Sequence, residues 1–169
     1  RVALACALVG RPELLFLDEP TTGLDPQARL KIWEGVEEFK QGGGTVILTT
    51  HYMEEAARLC DQIAIIDQGK IIAEGTPREL IDSLGASQIV ELKASDELDV
   101  AAVRELSGVQ GHHRKASTHV LTVAELAHVL PALLAELQRQ NVHLERLTTH
   151  EPTLEDVFVA KTGRALRDD

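Results

Sequence analysis

Over the first 80 residues, short unbroken apolar runs take turns with segments whose apolar positions recur at helical spacing. Leu14-Leu15-Phe16-Leu17 is a continuous run, the pattern of a strand covered on both faces. Asp25 followed by Pro26 reads as an N-cap with proline in the first helical position. Ala28, Ile32, Val36 and Phe39 then mark one helical face, and Gly42-Gly43-Gly44 stops it. Thr45 to Thr50 predicts a second buried strand, Met53 to Cys60 a short helix and Gln62 to Asp67 a third strand. Gln68-Gly69 turns the chain into Lys70 to Glu74 as a hairpin. Thr76-Pro77-Arg78-Glu79 has the form of a capping box opening another helix. Arg1 to Val9, rich in Ala and Leu, reads as the end of a helix. Alternation of this kind predicts βαβ units and a largely parallel sheet, so the fold class is α/β.

Past Gly85 the rhythm changes. Gln88 to Lys93 alternates as a strand, 98–106 reads as a helix, and 112–116 with 118–123 as a strand pair. Leu130, Leu133, Leu134 and Leu137 share a helical face, predicting a helix over 130–140 with Pro131 in its first turn. A strand over 142–147 and a terminal helix over 153–160 complete a βαββαβ order, the outline of a small ferredoxin-like α+β domain. The pattern thus divides the chain into residues 1–86 and 87–169.

Composition narrows the field. The 169 residues carry 17 Lys+Arg against 27 Asp+Glu, a net charge of −10, with three Phe, one Trp and one Tyr. A nucleic-acid surface usually needs a basic stripe and stacking rings, so a nucleic-acid partner is not expected. No run approaches the roughly 20 apolar residues that span a bilayer. Two cysteines, Cys6 and Cys60, are too few and too far apart for a metal knuckle or redox pair. With no initial Met, the sequence reads as a piece of a longer protein.

Three features carry candidate chemistry. Asp18 and Glu19 follow the first strand directly, and in open α/β sheets ligands bind beyond the carboxyl ends of strands. One carboxylate can hold Mg²⁺, a hard cation that keeps several waters; the other can orient or deprotonate a water. His51 follows the second strand and can reach the same edge, where an imidazole can donate to a phosphate oxygen. The loop Thr21-Thr22-Gly23-Leu24-Asp25-Pro26 lies between the carboxylates and the capped helix. Each feature also has a plain structural explanation: a surface turn, a satisfied strand-end histidine, and a helix start.

Together, however, they resemble one family. Leu14 to Pro20 resembles the Walker B segment of ABC-type ATPases, Thr21–Pro26 their D-loop, and Thr49-Thr50-His51 their switch histidine. Cys60 to Pro77 is similar to the closing hairpin of the same domain. Residues 1–86 thus look like the C-terminal half of a nucleotide-binding domain, part of a P-loop NTPase sheet. The resemblance implies that Asp18 holds Mg²⁺ through water and that Glu19 is the base or water-positioning carboxylate for ATP hydrolysis. It also implies that His51 contacts the γ-phosphate, and that Gly23, Leu24 and Asp25 lie at the interface of a head-to-tail dimer. Residues 87–169, ending in Glu151-Pro152-Thr153-Leu154-Glu155-Asp156-Val157-Phe158, are similar to the accessory domain of drug-resistance and other exporter-type ABC ATPases. Those work with a separate permease at the cytoplasmic face of the membrane.

No Gly-x-x-x-x-Gly-Lys-Ser/Thr occurs, so the loop of backbone N–H groups that cradles phosphates is absent from these residues. The family's signature loop is absent as well. The 169 residues alone are therefore expected not to hydrolyse ATP. Two other functions stay open at this point: a non-transport ABC ATPase of the DNA-repair or chromosome type, and a regulatory or dimerisation module. Six histidines lie beyond residue 100, and His112, His113 and His119 can approach across the strand pair. Neighbours on a strand face opposite sides, so a solvated hairpin is expected there in preference to a metal site.

Overall fold

A computed structural model describes residues 2–94 and 98–163 and divides the chain by contact into two compact units, residues 1–61 and 62–169. The first unit runs α1 (Val2–Val9), β1 (Leu14–Asp18), α2 (Pro26–Gln41), β2 (Thr45–Thr49) and α3 (Met53–Leu59). Strands β1 and β2 pair in parallel, in register from Leu14 opposite Thr45 to Asp18 opposite Thr49. A parallel pair needs a long crossover, and α2 supplies it. Asp25 caps that helix, its Oδ1 accepting from the Ala28 N–H at 3.0 Å, with Pro26 in the first turn. Ile32, Trp33 and Val36 on α2 and Leu59 on α3 form the buried core, with Leu17, Leu24, Val46 and Leu48 packed against it. Arg58 on α3 forks onto both carboxylate oxygens of Glu37 on α2, at 2.8 and 3.2 Å, and fixes the helices relative to each other.

The strands are covered differently from expectation. A continuous apolar run predicts burial on both faces, yet Phe16 and its cross-strand partner Ile47 are 68% and 51% exposed, and Leu14 is 43% exposed. Successive side chains alternate faces, and only the Leu15, Leu17, Val46 and Leu48 face meets the helices. Within residues 2–61 only two strands and three helices are present, enough to close one side of the pair.

The second unit opens with the hairpin β3 (Ile63–Asp67) and β4 (Lys70–Gly75), joined through Gln68 and Gly69, both at positive φ. That is the geometry of a two-residue turn whose twist matches the strands. Helix α4 (Pro77–Asp82) starts at the anticipated capping box: Thr76 Oγ1 accepts from the Glu79 N–H, and the Glu79 carboxylate accepts from the Thr76 N–H. Then follow β5 (Gln88–Ala94), α5 (Val100–Arg104), β6 (Val109–Lys115), β7 (Thr118–Val123), α6 (Leu126–Arg139), β8 (Leu144–His150) and α7 (Leu154–Thr162). The strand order is β6-β7-β5-β8 with every neighbour antiparallel. This is the split-βαβ arrangement that the βαββαβ order implies.

One sheet face packs Val90, Leu92, Leu121 and Val123 beneath Val103 of α5 and Val129, Leu133 and Leu137 of α6. On the opposite face Ile89 and Val120 are also buried, as are Leu154 and Val157 on α7. Each such side chain contributes about 1.5–3 kcal/mol on burial. Helix α6 begins earlier than the spacing of its leucines suggests, so Pro131 lies inside the helix, not in its first turn. Burial of Val129 and Leu133 outweighs the one backbone hydrogen bond that proline withholds. The contact division at residue 61 falls ahead of the change of pattern at residue 86, because α4 lies against α7. Cys6 and Cys60 are both free thiols.

Candidate nucleotide-hydrolysis site

The parallel register decides the geometry of the site. Asp18 ends β1 directly beside Thr49 at the end of β2, so the segments leaving the two strands emerge together. The Thr49 hydroxyl donates to Asp18 Oδ1, and the Glu19 N–H donates to the Thr49 carbonyl at 3.0 Å. Glu19 has φ +44, a left-handed conformation that costs a non-glycine residue about 1–3 kcal/mol and persists only where its surroundings impose it. Here the Thr49 bond imposes it from one side, and the Thr22 N–H, donating to the Glu19 carbonyl at 3.2 Å, from the other.

This twist turns the Glu19 side chain toward the second strand's exit. His51 Nδ1 lies 3.3 Å from Glu19 Oε1, and the Thr22 hydroxyl donates to Glu19 Oε2 at 3.2 Å. The pair is half open, with Glu19 48% and His51 34% exposed, so a ligand can reach it. Asp18, Glu19 and His51 therefore meet at one rim of a shared sheet, as their positions after consecutive parallel strands imply. The His51 ring lies 4.1 Å from the Tyr52 ring at a tilt of 43°, and Tyr52 in turn lies beneath the Arg29 guanidinium at 4.5 Å. These contacts help hold the imidazole in place.

The loop after Glu19 serves the fold as well as the site. Gly23 takes φ +73 with open space around its Cα, Leu24 turns into the α2 core, and Asp25 caps α2. Thr21 is fully buried, its hydroxyl donating to Glu55 Oε1 at 2.8 Å. Thr21 and Thr49 lie inside the quoted motifs without a role read for them there, and Tyr52, Arg29 and Glu55 escaped the sequence patterns. For Glu55 a signal exists: it stands four residues before Leu59 and next to Ala56, on the apolar stripe of α3, where a carboxylate is out of place.

The histidines of the second unit come together in part. His112 Nε2 and His119 Nδ1 lie 3.0 Å apart across β6 and β7, while His113 falls on the opposite face. Among the described residues, no group of three or more His, Cys, Asp or Glu side chains could hold a metal. No helix among them is long and apolar enough to cross a membrane.

Such a rim, two carboxylates and a histidine at the carboxyl ends of neighbouring parallel strands, lies where open α/β sheets bind their ligands. Comparison with known proteins places the chain more closely. Residues 75–162 match the family described as "ATP-binding protein DrrA1-3-like, C-terminal domain", and the chain belongs to that family. Residues 1–55 match a second model, "AAA domain, putative AbiEii toxin, Type IV TA system". The chain is 42% identical to the linearmycin resistance ATP-binding protein LnrL of Bacillus subtilis, over 99% of its own length and 55% of that protein's. It is 42% identical to the Nod factor export ATP-binding protein I of Cupriavidus pinatubonensis, over 99% and 50% of the two lengths. It is 40% identical to the daunorubicin resistance ATP-binding protein DrrA3 of Streptomyces coeruleorubidus, over 96% and 52%. The chain thus spans about half the length of these relatives.

Proposed function

We propose that this chain is the C-terminal half of the ATP-hydrolysing subunit of an ABC exporter, with residues 1–86 completing a nucleotide-binding domain and residues 87–169 forming an accessory domain. The observation that carries the proposal is the convergence of Asp18, Glu19 and His51, with the imidazole 3.3 Å from the Glu19 carboxylate. The names of the relatives, resistance and export ATP-binding proteins, support transport over DNA repair or a purely regulatory role. The exposed apolar Phe16–Ile47 face of the strand pair fits a sheet covered on that side by a further layer of the domain.

In this reading Glu19 orients the attacking water and accepts its proton. The twist at Glu19 aims the carboxylate away from the strand axis toward the open rim. His51, 3.3 Å from Glu19, would contact the γ-phosphate. With Nδ1 directed at Glu19, the other ring nitrogen is left to face a phosphate oxygen. Asp18 suits Mg²⁺, because a hard cation prefers carboxylate oxygen and one Asp oxygen remains beyond the Thr49 bond. Bound Mg²⁺ would neutralise charge on the phosphates. The phosphate loop and signature loop come from residues outside this chain and from a second subunit in a head-to-tail dimer that includes Gly23, Leu24 and Asp25. A separate membrane permease receives the work at the cytoplasmic face of the membrane.

The test is steady-state ATPase assay and nucleotide binding on the full-length protein. Glu19→Gln should lower kcat by roughly 10²–10⁴-fold, the usual worth of a positioned base, while ATP binding persists. The 169 residues alone should bind no ATP by calorimetry, since phosphate binding depends on a cradle they lack. Unimpaired turnover in the Gln variant would refute the proposal.

A further inference from the structure

Glu55 lies on α3, wholly buried, in a segment that begins two residues after His51. One of its oxygens, Oε1, accepts two hydrogen bonds: from the Thr21 hydroxyl at 2.8 Å and from the Trp33 indole N–H at 2.9 Å. The other, Oε2, is buried with no hydrogen-bond partner among the described residues. A buried carboxylate with an unused oxygen is destabilising, and a core position here would be better filled by Leu or Met. Its placement supplies a reason. Thr21 stands two residues after Glu19, so the Thr21–Glu55 bond joins the loop carrying Glu19 to the helix that follows His51. Among the described residues of this unit, no other side-chain hydrogen bond joins those two segments from the buried side, whereas the Glu19–His51 contact itself is half open to water.

We propose that Glu55 is a positioning residue that ties the Glu19 loop to the His51 segment through Thr21 and so sets the separation of the two groups for hydrolysis. This rests on the ATPase function proposed above. The bond to Thr21 constrains the loop at its first turn, where the Leu24 N–H also donates to the Thr21 carbonyl at 3.1 Å. Thr22, next along, then holds its hydroxyl on Glu19 Oε2. Loss of the tie frees Thr21 and lets Glu19 drift from its productive position. The bond to Trp33 anchors the same carboxylate to α2, away from the loop.

The experiment compares variants of the full-length protein by ATPase kinetics, thermal unfolding and backbone amide exchange. Thr21→Val and Glu55→Met should each lower kcat by roughly tenfold to a hundredfold, the scale of a small misplacement of reacting groups, with the KM for ATP little changed. Combining them should add almost nothing to the loss in kcat, since both cut the Thr21–Glu55 bond. Glu55→Gln keeps a carbonyl oxygen for both donors and should restore most of kcat. Trp33→Phe also removes one bond to Oε1, yet should lower the unfolding temperature without the loss in kcat. Amides 22–24 should exchange faster in Thr21→Val and not in Trp33→Phe, a readout that needs no nucleotide. Should Glu55→Met fail to fold, Thr21→Val carries the test. Normal kcat in Thr21→Val, or equal losses in Thr21→Val and Trp33→Phe, would overturn the proposal. Turnover unchanged in Glu19→Gln would instead overturn the ATPase function, and the exchange data would still decide whether the tie exists.

Discussion

Asp25 has two claims on it, and substitution separates them. Its carboxylate caps α2 through a 3.0 Å bond from the Ala28 N–H, and it is also proposed to face a second subunit. Replacing Asp25 by Ala removes the acceptor for one of the four orphan N–H groups of the first turn, at a cost of about 1 kcal/mol within a range of roughly 0.5–2. For a unit of about 60 residues, 1 kcal/mol lowers the midpoint of thermal unfolding by roughly 4–8 °C. Asp25→Ser keeps a side-chain oxygen at the cap and should cost no more than a few tenths of a kcal/mol, chiefly the lost interaction of the negative charge with the helix dipole. Urea unfolding of the two variants, followed by the fluorescence of the single tryptophan, Trp33, reports on the unit that contains α2. If the carboxylate also serves the dimer, Asp25→Ser should retain stability and still lose ATP-driven association of the full-length protein, read by light scattering. Equal destabilisation by Ser and Ala would refute the capping argument, and full association by Asp25→Ser would refute the interface.

Two further outcomes follow from the second unit. Gly108 adopts φ +91, and a Cβ there would lie 2.7 Å from Cγ2 of the fully buried Val129, so Gly108→Ala should destabilise by at least about 2 kcal/mol; an unchanged urea midpoint would contradict this. Burial, with the nearby His119, Arg104, His113 and Arg114, pushes His112 from its ordinary 6.5 down to about 4. Because the folded value lies below the unfolded one, the unfolded chain takes up the proton first. The contribution is complete above about pH 6.5 and fades as pH falls toward 4, so His112→Gln should flatten the stability profile between those values. Burial also lowers His113 and His119, and their share of the slope should remain in the variant.

Local chemistry explains which expectations needed no coordinates. A capping box is written in four consecutive residues, and Thr76 to Glu79 forms it as read. Helix α2 starts just after Asp25 and ends before Gly42 because a cap and a triplet of glycines act within one turn of themselves. The βαββαβ order fixes few compact arrangements, so the sheet order of the second unit was legible too. The early start of α6 was not, since Pro131 argues locally for a boundary that the packing of Val129 and Leu133 overrides. Nor was the open face of Phe16 and Ile47, because an apolar run records what a strand needs covered and not what lies upon it.

From the order of residues alone came the elements, the βαβ sense of the first unit, and the placing of Asp18, Glu19 and His51 at the ends of two strands. Sequence patterns act over a few residues, through periodicity, caps and turns, and these positions are set at that range. The tertiary structure decided the rest: that Glu19 twists to positive φ with its N–H donating to the Thr49 carbonyl, that His51 comes within 3.3 Å of it, and that Glu55 joins the two segments from beneath. Those facts depend on register between strands 31 residues apart in the chain and on a carboxylate buried by packing, and neither is written in any local window.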